Sequence, residues 1–190
     1  MRVRSYVRQG VEWVPVEVEI NFYPGLPQFQ FLGLPDAALK ESQLSIKSAL
    51  KNQGYVWPKG KQVLVNLRPN HLRKKSCGLE LAIACAYIWA SEQANQPEAL
   101  GEIPPIYGEL GLDGQVFVPE DIEGLIGVHE GELLVTGISN CRLPFPTLGI
   151  QQLRDLEAPT WCGERIIDSE KPKIPQLQFG QLAAETMMVA

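Results

Sequence analysis

Val14, Val16, Val18, Ile20 and Phe22 alternate with Pro15, Glu17, Glu19 and Asn21, a period of two that predicts a half-buried strand. Residues 3–8 are strand-like too, and Gln9-Gly10 between the two runs reads as the turn of a hairpin. Pro15 belongs near the start of its strand or on an edge, because it has no N–H to give a ladder. Pro24-Gly25-Leu26-Pro27 then breaks the chain, and Phe29 and Phe31 begin a third, shorter alternating run.

The rhythm changes after Leu34-Pro35-Asp36, where Asp36 can accept from exposed first-turn N–H groups. Leu39, Gln43, Ile46 and Leu50 follow i, i+4, i+7, i+11, one face of a helix, and Gly54 stands where a C′ glycine ends one. Lys40, Lys47 and Lys51 form a strip beside that stripe. Gln62 to Leu67 is a compact strand. A second helix, about Leu79 to Ala94, is apolar almost all round and so predicts a core helix, with Glu80 in the first turn where the helix dipole favours an anion. Ile106–Leu110 and Val116–Val118 read as a hairpin joined through Leu112-Asp113-Gly114-Gln115. Beyond it the expected elements are a short helix over 120–128, a strand over 133–136 and a helix over 150–156. Strands followed by mixed helices and strands give an α+β domain over residues 1–157, a turn- and charge-rich linker over 158–176, and a new helix opening in 177–190.

The 190 residues fit one domain, and 45% hydrophobic residues suffice for its core. A net charge of −5 gives no bulk reason to expect nucleic-acid binding, so any such role must come from a local patch. One segment qualifies: Arg68-Pro69-Asn70-His71-Leu72-Arg73-Lys74-Lys75, the densest basic run, leads into a helix N-terminus near Ser76-Cys77-Gly78. Phosphates favour both cations and exposed helical N–H groups. Arg68, His71, Arg73, Lys74 and Lys75, with Lys40, Lys47 and Lys51, form the candidate nucleic-acid surface. The basic run reads equally as an exposed loop whose cations pair with neighbouring acids, whereas a lysine row beside a core face is usually just solvated surface.

Other chemistry is missing from the chain. It contains no G-x-x-x-x-G-K-[ST] loop, no G-x-S-x-G elbow and no H-E-x-x-H. Cys77, Cys85, Cys141 and Cys162 have no CxxC spacing, and His71 and His129 do not complete a zinc set. The pairs Glu130/Glu132 and Asp155/Glu157 sit in polar stretches and read as solvated surface. The first residues lack the apolar stretch of a signal peptide, and no run approaches the roughly 18 apolar residues of a membrane span. The expectation is a soluble cytoplasmic protein with no metal or cofactor of its own.

Several stretches resemble the N-terminal domain of the ComM/YifB family of magnesium chelatase-like AAA+ proteins. They are Pro24 to Phe29, Gly33 to Ala38, Lys40-Glu41-Ser42, Lys51 to Gly54, Val65-Asn66-Leu67 with Pro69, Leu72 and Lys74, and Gly108 to Gly114, in order and spacing. Gly180-Gln181 and Met187 to Ala190 resemble the junction into the family's AAA+ module. The resemblance implies a Lon-protease-like (ribosomal protein S5 domain 2-like) fold. It also implies a hexameric parent whose ATP and Mg are held by an AAA+ module not included in these 190 residues. Its partners would be single-stranded or branched DNA, in branch migration during natural transformation. Lon itself uses a Ser-Lys dyad; an ungapped comparison sets Gly78 and Glu123 at those two positions, which leaves neither nucleophile nor base. A non-catalytic domain for DNA contact or ring assembly is therefore expected. A Lon-like peptidase or a magnesium-chelatase-related subunit is the alternative.

Overall fold

The computed structural model describes residues 1–32, 37–69, 78–97, 101–129, 131–139, 142–157 and 166–167. Strands β1 (Arg2–Gln9) and β2 (Glu12–Pro24) form the expected hairpin, each longer than its alternating run. β3 (Phe29–Leu32), α1 (Ala37–Asn52) and β4 (Lys61–Arg68) follow, and the sheet order is β1-β2-β4-β3. β1, β2 and β4 pair antiparallel, whereas β3 lies parallel to β4 with α1 as the crossover.

Pro15 sits opposite Tyr6 inside the β1–β2 ladder. Met1 and Ile20 exchange both backbone bonds, so alternate pairs down the ladder, Tyr6–Pro15 among them, are non-hydrogen-bonded. Pro15 therefore turns its nitrogen away from β1, on a stretch that β4 does not reach because that pairing stops at Glu17–Arg68. The strand is central, but at this residue it is an edge.

Alternation sends Val3, Val7, Val16, Val18, Ile20, Val63, Val65 and Leu67 to one face, all buried. Ile46, Ala49 and Leu50 of α1 and nearly all of α2 (Leu79–Ala90) cover that face. Each such aliphatic side chain contributes about 1.5–3 kcal/mol by leaving water, which is why α2 is apolar all round. Cys85 lies within it fully buried, and burial pushes its thiol pKa up so that it stays protonated. Cys77, Cys141 and Cys162 are outside the described residues.

α1 ends as the glycine predicted. Gly54 takes φ +89° while the N–H of Tyr55 donates to the Leu50 carbonyl at 2.9 Å and that of Gly54 to Lys51 at 3.1 Å. α2 stops at Ala90 and not at Ala94. Glu92 adopts φ 57°, and its N–H and that of Gln93 close on Trp89 and Ile88. The Gln93 amide then accepts the Val56 N–H and donates to the Val56 carbonyl, a tertiary contact outweighing local helix preference. The Asp36 cap lies outside the described residues.

The second half departs further from the periodicity. The hairpin narrows to β5 (Glu109–Leu110) and β6 (Val116–Phe117), because Ile106 is drawn elsewhere. The Ile106 N–H donates to the Arg4 carbonyl, and Ile106 bridges Val135 in parallel, joining the edge of β1 to β7 (Leu134–Gly137). β7 pairs parallel with β8 (Thr147–Ile150), a strand the sequence did not predict. β8 pairs antiparallel with β9 (Ile166–Ile167), inside the expected linker. The expected helices become one-turn 3-10 segments, Ile122–Leu125 and Leu153–Glu157. The rest of 158–190 lies outside the described residues. No helix among the described residues is long and apolar enough to cross a membrane.

A second cluster lies on the opposite face of the hairpin. Tyr6 packs there with Tyr107, Ile122, Leu125, Leu134, Leu143 and Phe145, flanked by Trp13. The sheet is thus covered by helices on one face and, over the hairpin end, by the described residues of this second cluster on the other. The molecule is α+β.

Candidate nucleic-acid interface

The outer face of the sheet, beyond that second cluster, carries two cross-strand rows. Arg2, Glu19 and Asn66 stand side by side on β1, β2 and β4; Arg4, Glu17 and Arg68 form the next row. Glu19 is the hub of the first. It accepts from Asn66 at 3.2 Å and meets Arg2 and Arg68, each at 3.4 Å. The Asn66 hydrogen bond above all, then the Arg68 and Arg2 charges, hold its carboxyl below the usual range against the effect of partial burial. In the second row Arg4 turns to Glu132 at 3.1 Å and Glu102 at 3.6 Å. Glu17 makes no ion pair among the described residues.

These rows border a cleft of about 690 Å³ at the point where the chain leaves the sheet after β4. Its walls are Tyr6, Pro15, Pro69 and Pro105, and its polar rim is Arg4, Glu17 and Arg68. Tyr6 is fixed from behind by His129, a residue without any sequence signal. The Tyr6 hydroxyl lies 2.9 Å from His129 Nδ1, and His129 Nε2 lies 2.7 Å from the Glu132 carbonyl. A carbonyl only accepts, so Nε2 carries the proton and Nδ1 accepts from Tyr6. Phe145 packs edge-on against the imidazole at 5.0 Å. Desolvation, then the Arg4 charge, lower the His129 pKa, opposed by the Glu132 carbonyl and carboxylate.

Of the predicted surface residues, Arg68, Lys47 and Lys51 have described side chains, and they stand on two faces. Arg68 is exposed on the outer face, in register with Glu17. Lys47 and Lys51 are exposed on α1, across the sheet, with Lys47 Nζ 5.2 Å from the centre of the Trp57 ring. Lys40 is in the first turn of α1, its side chain outside the described part. His71, Arg73, Lys74 and Lys75 also lie outside the described residues. The start of α2, described from Gly78, is largely engaged by the chain itself. Leu79 and Leu81 are buried, the Leu81 N–H donates to the Gly108 carbonyl, and the Glu80 carboxylate accepts the Leu110 N–H at 3.0 Å.

Gly78 and Glu123 have different surroundings. A Cβ at Gly78 would lie 2.3 Å from the Tyr107 ring, which fills the space a side chain would need. The Tyr107 hydroxyl donates to Asp121 at 3.0 Å, and Trp13 packs edge-on against the ring at 5.5 Å. Glu123 is exposed on the 3-10 turn. Of the paired carboxylates, Asp155 accepts the N–H groups of Gln151 and Gln152 and so caps its own 3-10 turn.

The family model described as subunit ChlI of Mg-chelatase matches residues 17–128, more than half of the chain. The "Uncharacterized protein YifB" of Escherichia coli (strain K12) is 31% identical over 148 residues, 68% of this chain and 29% of that protein. The protein of the same name in Salmonella typhimurium is 36% identical over 112 residues, 59% of this chain and 22% of that one. The "Competence protein ComM" of Haemophilus influenzae is 36% identical over 114 residues, 60% of this chain and 22% of that protein. The matched stretch thus spans less than a third of each relative's length. On this model match and these relatives, the chain belongs to the ComM/YifB family of magnesium chelatase-like proteins.

Proposed function

We propose that this chain is a non-catalytic, Lon-like module of a ComM-like AAA+ protein, and that it contacts single-stranded or branched DNA or helps assemble a hexameric ring. The observation that carries the DNA reading is the position of Arg68 and Pro69. They begin the densest basic run of the sequence on the sheet face that neither α1 nor α2 covers. The non-catalytic reading is supported by Gly78, where the Tyr107 ring leaves no room for a serine, and by the absence of any lysine between Lys75 and Lys171. ATP and Mg would belong to an AAA+ module of the parent protein.

Labelled single-stranded and branched DNA, titrated at about 50 and about 200 mM salt, tests the reading. Binding should weaken steeply with salt. Replacing Arg73, Lys74 and Lys75 by alanine should flatten the log–log slope for a single strand by about 2, at about 0.7 per phosphate contact. Absence of binding at the lower salt would remove the DNA role. If the triple variant assembles differently yet binds DNA as before, ring assembly is the function of the segment.

A further inference from the structure

We infer that the cleft at the root of the basic segment holds one unpaired base of a single strand, cytosine or adenine in preference to thymine, with Glu17 accepting its amino group. The inference rests on the DNA-contact reading above and names what the site selects.

At about 690 Å³ the cleft falls within the range of small-ligand sites, roughly 300–1,000 Å³. Its walls come from three separate parts of the chain: Pro15 from β2, Pro69 just after β4, and Pro105 just before the bridge at Ile106. Proline has no N–H to satisfy and a fixed backbone, so these walls are rigid, apolar and flat-sided. Tyr6 also lines the cleft, almost wholly buried and held in place by His129. A planar base suits such walls, as stacking on aromatic and apolar side chains is how unpaired bases are held.

The rim determines which base. Arg4, Glu17 and Arg68 occupy one row across three adjacent strands, about 10 Å wide at two strand spacings. Both arginines are engaged by other acids, Arg4 by Glu132 and Glu102 and Arg68 by Glu19, whereas Glu17 makes no ion pair among the described residues. Among the described residues the middle of the row is therefore a carboxylate with no cation of its own, an acceptor suited to an N–H donor. Cytosine N4 and adenine N6 offer amino groups there, and thymine offers a carbonyl oxygen. Those amino groups are free on the pairing edge only in a single strand. The side chains of Arg4 and Arg68, 40% and 51% exposed, are in surface pairs weak enough to be exchanged for the phosphates on either side of the base.

The test compares the 190-residue chain with its Glu17→Ala variant at low salt, on oligo-dC, oligo-dT and a strand of abasic sites, all of one length. Glu17 is exposed, and an unchanged urea midpoint verifies that the variant folds. Wild type should bind oligo-dC about three- to tenfold tighter than oligo-dT, and the abasic strand weakest. In E17A the two base-bearing strands should bind within twofold of each other, neither more weakly than oligo-dT binds wild type, because a negative charge has been removed. Equal binding of all three strands by wild type, or a dC preference that survives in E17A, overturns the cleft inference and leaves DNA contact standing. If no strand binds, DNA contact itself fails and the inference with it.

Discussion

His129 is buried against Tyr6 and Phe145 of the second cluster, and its two ring nitrogens join β1 to the chain just before β7. Its lowered pKa fixes the sign of a pH effect. Above the ordinary histidine value of about 6.5, folded and unfolded chains both hold it neutral. Below that value the unfolded chain takes up a proton that the folded chain resists, so stability falls with pH through about 6.5 and levels off below the folded pKa. Glu109, whose pKa is raised by burial first and then by Glu80, Asp121 and Glu120, acts in the opposite sense at the acid end. The comparison must therefore be with His129→Gln, which keeps a donor for the Glu132 carbonyl. Urea midpoints between pH 8 and 5 should show a decline in wild type that is absent from H129Q; parallel curves would show that His129 does not titrate on unfolding. Nothing around residue 129 in the sequence marks this role, since its partner Tyr6 is supplied by the other end of the chain.

At the scale of elements, α2 shows how far periodicity reaches. An all-round apolar helix announces burial, and Leu79 to Trp89 are buried with Glu80 the half-buried exception. What it does not announce is the contact at its start. Gly78 and Gly108 are linked by a backbone bond at 2.9 Å, and the Tyr107 ring occupies the space above Gly78. The ring is held by Asp121 and Trp13 and has nowhere to go. Gly78→Ala should cost about 1–3 kcal/mol by overpacking, read as a lower urea midpoint at unchanged m-value, and much less in a Tyr107→Ala background. Equal losses in both backgrounds would remove the steric account. The missed β8 is the converse case. Thr147-Leu148-Gly149-Ile150 is too short and too mixed to carry a period, and it becomes a strand because β7 offers it an edge.

For the whole molecule, the family match ends at residue 128 but the core does not. Val135, Leu148, Ile150, Leu153 and Leu156 belong to the main core, while Leu134, Leu143 and Phe145 complete the second. A chain cut after residue 128 should therefore lose cooperative unfolding, whereas residues 1–167 should retain one sharp urea transition. A sharp transition in the shorter chain would make the second half an appendage. The candidate interface also changes at this scale. Arg68 and the α1 lysines Lys47 and Lys51, which the sequence groups as one surface, stand on opposite sides of the sheet.

The sequence by itself determined the hairpin, the parallel crossover's strands and helix, the buried α2 and the α+β class, because period, caps and turn residues are local properties that burial on one face reinforces. It also carried the family, through ordered short motifs over the first two thirds of the chain. Tertiary structure alone decided the end of α2, the diversion of Ile106 out of its hairpin and the pairing of β8, each a case of a distant partner outweighing local preference. It alone brought Arg4, Glu17 and Arg68 into one row and put Tyr6 against His129. Those groupings follow from register and packing between segments far apart in sequence, about which the pattern along any one segment holds no information.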